Sequence, residues 1–209
     1  MATTVDFDDA LLPAQFLVEN ANLLSRGRAL DVAMGRGRNA IYLARLGFQV
    51  EGVDVSREVV EEALARSHEE GVSIQARVED LEKIPYIDEE TYDLVICFNY
   101  LQRSLMPQMK NWVKPGGILV YETFTVDQLR FGKPRNPDHL LRHNELLHTF
   151  RDFRVLRYRE GIIESMKAIA SILAQKPPAE PKGLPSESVE ADSRIDVRGE
   201  RILTRQARR

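Results

Sequence analysis

The chain has 209 residues, of which 43% are hydrophobic, so it can bury one core of ordinary size and a second folded domain is not expected. A single cysteine, Cys97, excludes a disulfide framework, no secretory signal pattern opens the chain, and no apolar run approaches the roughly 20 residues that span a bilayer. The formal net charge of −3 gives no general attraction to nucleic acid. We therefore expect a cytoplasmic protein with neither a nucleic-acid partner nor a membrane span.

The first predicted strand, 29–32, runs directly into a turn with two glycines and then into a helix, in the sequence ALDVAMGRGRNA of residues 29–40. Gly35 and Gly37 allow the backbone to approach a ligand without an intervening Cβ. The first turn of the helix presents unpaired N–H groups at the same place. This combination indicates a loop that binds a nucleotide-containing cofactor.

A β-α-β unit continues from this loop. Apolar residues at helical spacing predict a helix over 41–46, and Gly47 ends it before a second strand over 48–54. The second strand ends in Asp54, about 20 residues beyond the turn, where a carboxylate holds a ribose diol in Rossmann-like folds. Asp54 is therefore the candidate ribose ligand.

Two cofactors fit this loop. The glycine spacing satisfies the NAD fingerprint, with its permitted final alanine. Asp31 opposes NAD, because its negative charge would face a pyrophosphate. S-adenosylmethionine carries an ammonium and a sulfonium and no phosphate, so Asp31 suits it as a ligand of the methionine amino group. Arg36 and Arg38 could pair with phosphate or be solvated, and they leave the choice open.

The elements that follow agree with the methyl donor. Ser56 is a candidate N-cap for a helix that ends at Gly71, and a third strand is predicted over 72–78. This strand leads to residues 79–81, where a carboxylate can accept from an adenine amino group and the next N–H can donate to a ring nitrogen; the alternative is an ordinary polar turn. A nearly apolar run over 92–98 predicts a central parallel strand that is buried on both faces.

The second half of the chain continues the alternation of helices and strands. It is predicted to contain, in order, a helix through Trp112, the turn 114–117, a strand over 118–122, a breaker-rich loop or lid over 132–137, a helix over 139–150, and an antiparallel hairpin of strands 153–158 and 167–175. Beyond residue 176 the chain is rich in Pro, Glu and Ser and poor in apolar residues. We therefore predict one domain, 1–176, followed by a flexible tail, 177–209.

The chain resembles the class I S-adenosylmethionine-dependent methyltransferases over most of the predicted domain. The resemblance rests on five motifs: LDVAMGRG at 30–37, GVDVS at 52–56, EDL at 79–81, YDLV at 92–95 and KPGG at 114–117. The nearest group is the small-molecule methyltransferases of the tellurite-resistance type, because residues 37–44 are similar to their first helix. The family usually has Gly where this chain has Ala33. The resemblance implies an α/β fold with a doubly wound, Rossmann-like, seven-stranded, mostly parallel sheet and a last antiparallel strand.

The resemblance also implies which residues hold S-adenosylmethionine. Asp31, Ala33, Gly35 and Gly37 would cradle the methionine part, Asp54 the ribose, Val55, Asp80 and Leu81 the adenine, and Phe98 and Asn99 would border the sulfonium. The residue pattern alone also indicates Asp31, Asp54 and Asp80. Phe98 and Asn99 come from the resemblance only.

Basic residues outnumber acidic ones between positions 103 and 159, a region whose loops face the transferred methyl group in a doubly wound fold. Arg103, Arg130 or Arg135 could therefore grip an anionic acceptor. The alternative is that these cations form a solvated face that balances the acidic first half. A small-molecule acceptor, with an anionic one favoured by this charge, is the expected partner.

Methyl transfer depends mainly on holding the nucleophile in line with the sulfonium and on displacing water. Tyr100, Arg103 and Glu122 are the candidates for positioning or contacting the acceptor. If a proton must leave the acceptor, Tyr100, Glu122 or His139 would be near enough to take it. His139 and His143 lie four apart on the predicted helix, but without a Cys partner or a His-Glu-x-x-His pattern no metal is expected.

The sequence therefore predicts an enzyme that moves a methyl group from S-adenosylmethionine to a small acceptor by in-line displacement. Two alternatives stay open. One is an NAD-dependent oxidoreductase, which shares the glycine loop. The other is a non-catalytic cofactor-binding module of the same fold.

Overall fold

The structure, a computed structural model, describes residues 11–83, 87–163 and 166–179. Seven strands of this part form one sheet: β1 (Arg28–Val32), β2 (Gln49–Asp54), β3 (Gln75–Val78), β4 (Tyr92–Phe98), β5 (Val113–Phe124), β6 (Arg154–Ile163) and β7 (Lys167–Gln175). Their order is β3-β2-β1-β4-β5-β7-β6. Only β7 runs antiparallel to its neighbours, so the predicted fold class is confirmed.

Five α-helices accompany the sheet in the described residues: α1 (Gln15–Glu19), α2 (Arg38–Arg45), α3 (Arg57–Glu69), α4 (Met106–Trp112) and α5 (Glu145–Thr149). As predicted, Ser56 caps α3, its side chain accepting from the amide of Val59. The chain order reverses between β1 and β4, which lie side by side. In open α/β sheets the ligand crevice lies at the carboxyl ends of the strands at such a reversal.

The core lies on both faces of the sheet, since alternate residues of each strand point to opposite sides. Leu30 and Val32 of β1 belong to one buried cluster with Trp112 and Phe150. Ala29 belongs to the other cluster, which contains the apolar residues of α2. Asp31, two residues after Ala29, points to this second face, where α2 packs.

Several predicted elements differ from the structure at their ends; the strand predicted over 153–158, for example, extends to Ile163. β3 begins only at Gln75, because the Val72 amide still bonds to the Ser67 carbonyl at the end of α3. The Lys-Pro-Gly-Gly segment is part of β5 rather than a turn ahead of it, and the pairing of β4 with β5 shifts register there. Such an irregularity accommodates the extra residues within one strand.

The predicted helix over 139–150 is wrong in its first half. Leu140 and Leu141 are extended and fully buried, and α5 begins only at Glu145. Leu141 forms a parallel bridge with Thr125, its amide donating to the Phe124 carbonyl at 2.8 Å. This pairing beyond the end of β5 outweighs the helical spacing of the leucines. His139 and His143 therefore do not share a helix face, and the described residues contain no cluster that could hold a metal ion.

Two expectations from composition concern the whole chain. Among the described helices, none has the length and apolar character needed to cross a bilayer. Cys97 is buried in β4 as a free thiol, whose pKa burial raises. The cytoplasmic location stays a prediction. So does the boundary at 176, since the predicted tail lies outside the described residues from 180 onward.

Candidate functional site

The loop after β1 is fixed by backbone contacts to β2. The Met34 amide donates to the Val53 carbonyl at 3.0 Å, and the Gly35 amide donates to the Asp54 carboxylate at 2.9 Å. Gly37 then caps α2 with a left-handed backbone. The loop thus opens at the carboxyl ends of β1, β2 and β4, as the sequence predicts.

Asp31 is the most unusual group at this site. It is 1% exposed, and within the described part of the chain its Oδ2 has no hydrogen-bond partner. Burial raises its pKa to about 7, although the Arg38 guanidinium and the Ala40 amide lower it and the Asp54 charge adds to the rise. Native structures rarely leave a buried carboxylate oxygen unpaired, so this atom is suited to a ligand that brings its own donors.

Three residues of the loop have positive φ angles. They are Ala33 (+55°), Gly35 (+54°) and Gly37 (+74°). A left-handed backbone costs an L-residue roughly 1–2 kcal/mol, so the φ of Ala33 gives a physical reason for the glycine that the family resemblance implies at this position. At Gly37 an added Cβ would also lie 2.9 Å from the Cβ of Ala63, so that glycine is required by packing as well.

Asp54, the predicted ribose ligand, also holds the glycine loop in place. One carboxylate oxygen accepts from Gly35, and the other accepts from the Ser56 amide at 3.1 Å. Each oxygen retains a lone pair, so two hydroxyl groups could still bind. The neighbouring Val55 is 64% exposed, an open apolar surface at the position predicted to flank the adenine.

Asp80 and Leu81 follow β3 at the edge of the same crevice. The Asp80 carboxylate accepts from the Glu82 amide at 3.0 Å and pairs with Lys83 at 3.0 Å, and the Lys83 hydrogen bond lowers the pKa of Asp80. Leu81 is buried in the core. The Asp80 side chain is therefore an ionised acceptor, as contact with an adenine amino group requires.

Phe98 and Asn99 end β4 beside the loop. Phe98 is buried, whereas Asn99 is exposed with a φ of +57° and its amide donates to the Glu122 carbonyl at 2.9 Å. Asn99 also lines a cavity of about 640 Å³. Asn99 therefore lies between the predicted position of the sulfonium and the cavity in which an acceptor would bind.

The cavity lies between the carboxyl ends of β4 and β5 on one side and the loop over residues 133–139 on the other. The strand side is formed by Asn99, Tyr100, Leu101, Thr123 and Phe124. The loop side is formed by Lys133, Pro134, Arg135, Asn136 and His139. Of these lining residues, the sequence analysis named Asn99, Tyr100, Arg135 and His139 as candidates. The Gly- and Pro-rich composition of residues 132–137 predicted the loop but not the individual contacts of its other residues.

Tyr100 lines the cavity but is a poor proton acceptor. Burial raises the pKa of its hydroxyl to about 12, so the group is protonated near neutral pH. Its carbonyl accepts from the Tyr121 hydroxyl at 2.8 Å, which fixes the backbone at the end of β4. The side chain can donate a hydrogen bond to an acceptor but cannot readily remove its proton.

Arg103 does not line the cavity, and its guanidinium is already engaged. It bonds to both carboxylate oxygens of Glu145, at 2.7 and 2.9 Å, and to the carbonyls of Asp138 and Leu140. The hydrogen bond to Glu145 raises the pKa of Arg103 further. Arg103 thus holds the segment from Asp138 to Glu145 against the start of α4.

Glu122 is engaged as well. Its carboxylate accepts from the buried Ser171 hydroxyl at 2.5 Å and from Arg159 at 3.2 Å. Arg159 also bonds to Glu19 and lies over the Phe16 ring. Glu122 therefore links β5 to β7 and α1, and it is not among the residues that line the cavity.

Comparison with known proteins gives a consistent result. A family model described as a methyltransferase domain matches residues 29–117. The ubiquinone biosynthesis O-methyltransferase of Xanthomonas axonopodis is 32% identical over 120 residues, which cover 54% of this chain and 50% of that protein. The enzyme of the same name from Vibrio cholerae is 32% identical over 117 residues, which cover 54% of this chain and 48% of that protein. The chain therefore spans about half the length of the curated relatives it matches.

Solved structures extend the likeness to about four fifths of this chain. TehB from Haemophilus influenzae superposes with a TM-score of 0.64 and 25% identity, over 78% of this chain and 62% of that one. A SAM dependent methyltransferase from Aquifex aeolicus gives a TM-score of 0.63 at 21% identity, over 81% and 93% of the two chains. At that identity the second match is evidence of a common fold alone.

Proposed function

We propose that this chain is a class I S-adenosylmethionine-dependent methyltransferase, which transfers the methyl group of that donor to a small anionic acceptor by in-line displacement. The chain spans only about half the length of the curated relatives it matches, so the support for its activity and acceptor comes from its own site. The single observation that carries the proposal is the buried, unpaired carboxylate oxygen of Asp31 at the mouth of the glycine loop.

The charge of Asp31 selects among the cofactors that a glycine loop can hold. A cationic ammonium would pair with this carboxylate and restore the hydrogen bond that it lacks. A pyrophosphate at the same place would meet a second negative charge in a poorly solvated site. We therefore favour S-adenosylmethionine over NAD.

The other predicted contacts with the cofactor are assigned as the family resemblance implies. We assign the methionine part to Asp31, Ala33, Gly35 and Gly37, the ribose to Asp54, the adenine to Val55, Asp80 and Leu81, and the sulfonium border to Phe98 and Asn99. Bound there, S-adenosylmethionine supplies an electrophilic methyl group on a positively charged sulfur. The protein's part is to hold the nucleophile in line with that group and to exclude water.

The geometry revises the acceptor side of the predicted site. Tyr100 faces the cavity, while Arg103 and Glu122 are bonded to other parts of the protein. We propose that Tyr100 contacts the acceptor and that Arg103 and Glu122 position the walls. No step of the transfer needs an acid or base if the acceptor arrives ionised.

Calorimetric titration tests the cofactor. S-adenosylmethionine and S-adenosylhomocysteine should bind the wild-type protein, and NAD should not. Asp54→Asn should weaken both by about tenfold, since one charged acceptor of the ribose is lost. Glu69→Ala, which removes an exposed carboxylate from α3, is the matched control and should bind as the wild type does. Binding of NAD without binding of either adenosyl compound would refute the proposal.

A further inference from the structure

The loop side of the cavity carries an unusual share of positive charge. We call residues 132–139 the cationic loop, because Lys133, Arg135 and His139 of this segment line the cavity. Among the described lining residues there is no Asp or Glu. Asp138 of the same segment is exposed and is not among the lining residues, so the lining itself is positively charged, which attracts an anion into a concave site.

Lys133 and Arg135 have no ion-pair partner among the described residues, in contrast to Arg103 and Arg159. In the described part of the chain, neither Lys133 nor Arg135 forms a salt bridge or a side-chain hydrogen bond. Arg103 and Arg159, by contrast, bond to Glu145 and Glu122. Lys133 and Arg135 are therefore the cations available to a ligand in the cavity.

The cationic loop is held in place from beneath. The buried Gln128 donates from its side-chain amide to the Lys133 carbonyl at 3.0 Å, while its Oε1 accepts from the Ala168 amide at 2.8 Å. Asn136 caps the short turn that follows, accepting from the Asp138 amide. The backbone that carries the two cations is thus fixed to the sheet before a ligand binds, which reduces the entropy lost on binding.

The rest of the cavity is shaped for an organic body. Leu101, Phe124 and Pro134 supply apolar wall. The volume of about 640 Å³ falls within the range of about 300–1,000 Å³ that accommodates organic ligands of drug size. A bare inorganic oxyanion would leave the apolar part of this wall without a partner.

The cavity also lacks an effective proton acceptor at its strand side. Tyr100 is protonated because burial raises its pKa to about 12, and the Glu122 carboxylate is bonded to Ser171 and Arg159. A neutral acceptor with a tightly held proton would need one of these groups, or His139 on the loop side, to remove it. An acceptor that is already ionised needs none of them.

We infer that the acceptor is an organic anion with an apolar body, ionised at neutral pH, which Lys133 and Arg135 hold while its charged atom is methylated. Carboxylates and acidic thiols belong to this class. The inference deepens the proposed function and rests on it. In the transfer, the methyl–sulfur bond breaks with its electron pair on sulfur, and the charged atom of the acceptor forms the new bond to carbon. No proton moves, and the product is neutral.

The same charges favour release of the product. A neutral ester or thioether no longer attracts Lys133 and Arg135, so the methylated molecule binds more weakly than the anion that entered. Discrimination between the two by charge-assisted hydrogen bonds is expected to be about tenfold or more.

The first test compares ionised acceptors with neutral molecules of the same shape. Benzoate, octanoate and thiophenolate are offered with S-adenosylmethionine, beside benzamide, octanamide and inorganic selenite, and S-adenosylhomocysteine and the methylated product are measured. We expect product from at least one organic anion and none from its neutral counterpart. Equal turnover of a neutral counterpart, turnover of selenite alone, or no product from any organic anion would overturn the inference.

The second test removes the two cations. Lys133→Gln with Arg135→Gln should raise KM for the accepted anion by about tenfold or more, because two charge-assisted contacts are lost, and should leave the Kd of S-adenosylhomocysteine unchanged. The matched control is Arg151→Gln with Arg154→Gln, which removes two exposed cations elsewhere and should leave KM near the wild-type value. An unchanged KM in the first pair would overturn the inference. If S-adenosylmethionine fails to bind the wild-type protein, the proposed function itself is refuted instead.

Discussion

The two halves of the site are built in different ways. On the cofactor side, backbone amides of a short loop and one β-α-β unit fix the geometry, as the bond from Gly35 to Asp54 illustrates. On the acceptor side, long side chains join segments that are distant in sequence, as Arg103 joins Glu145. A backbone-built loop suits one constant molecule, whereas contacts made by side chains can change by substitution. We therefore expect acceptor specificity to change without loss of the proposed cofactor site.

The largest expected effect is on the cofactor side. Gly37→Ala places a Cβ 2.9 Å from Ala63 at a φ of +74°, whereas Gly35→Ala meets open space at a φ of +54°. We expect Gly35→Ala to lower the free energy of unfolding by about 1 kcal/mol and Gly37→Ala to lower it by about 3 kcal/mol, since overpacking is added to backbone strain. Urea denaturation measures both. Equal losses would mean that the contact with Ala63 relaxes freely.

The next effect concerns the charge of Asp31. Asp31→Asn should weaken S-adenosylmethionine binding by about 10- to 100-fold, because a charge-assisted bond to the ammonium becomes a neutral one. Calorimetry measures this, with Asp152→Asn as an exposed control. An unchanged Kd would show that the methionine amino group binds elsewhere.

The same substitution changes the pH dependence of stability. The folded-state pKa of Asp31 is raised from 3.8 to about 7, so between these values the folded protein holds a proton that the unfolded chain releases. The contribution of Asp31 to stability therefore falls as pH rises from about 4 to about 7 and is constant above that range. Across this window the free wild-type protein should lose stability relative to Asp31→Asn. Parallel stability curves would contradict the burial argument.

On the acceptor side the expected effects are smaller. Arg103→Ala removes the clamp on Asp138, Leu140 and Glu145, so KM for the acceptor should rise by about tenfold with no change in cofactor affinity. Glu145→Gln weakens the same clamp and should shift KM in the same direction by less. If Arg103 contacted the acceptor directly, Glu145→Gln would leave KM unchanged.

The smallest effect is expected at the atypical loop residue. Ala33→Gly relieves left-handed strain at a φ of +55° but adds freedom to the unfolded chain, so stability should change by less than about 1 kcal/mol. S-adenosylhomocysteine affinity should hardly change. A large loss of affinity would instead show that the Ala33 methyl group contacts the cofactor.

The cofactor side could be predicted from the sequence because its contacts are local. Asp31, Gly35 and Asp54 lie within one β-α-β unit, and the hydrogen bonds among its ends follow from that topology. The residues predicted to bind the cofactor lie around one crevice, although their contacts with a ligand stay a prediction.

The acceptor side could not be predicted to the same depth. The leucines at 140 and 141 fit a helical pattern, yet they extend the sheet because Thr125 offers a backbone partner and the core covers both side chains. Arg103 and Glu145 lie 42 residues apart in the chain, and no local sequence pattern predicts an ion pair between them. Its charge alone makes Arg103 a candidate ligand, and only the fold shows that its bonds are already filled.

The position of β7 has a consequence for the order in which the molecule is made. This strand is the last of the described sheet in sequence, yet it lies between β5 and β6, and its Ala168 amide holds Gln128 beneath the cationic loop. Synthesis proceeds from the amino end, so the strands that carry Asp31 and Asp54 exist well before residue 168 does. A nascent chain therefore completes its cofactor loop first, and the wall that would recognise the acceptor matures only when the final hairpin closes.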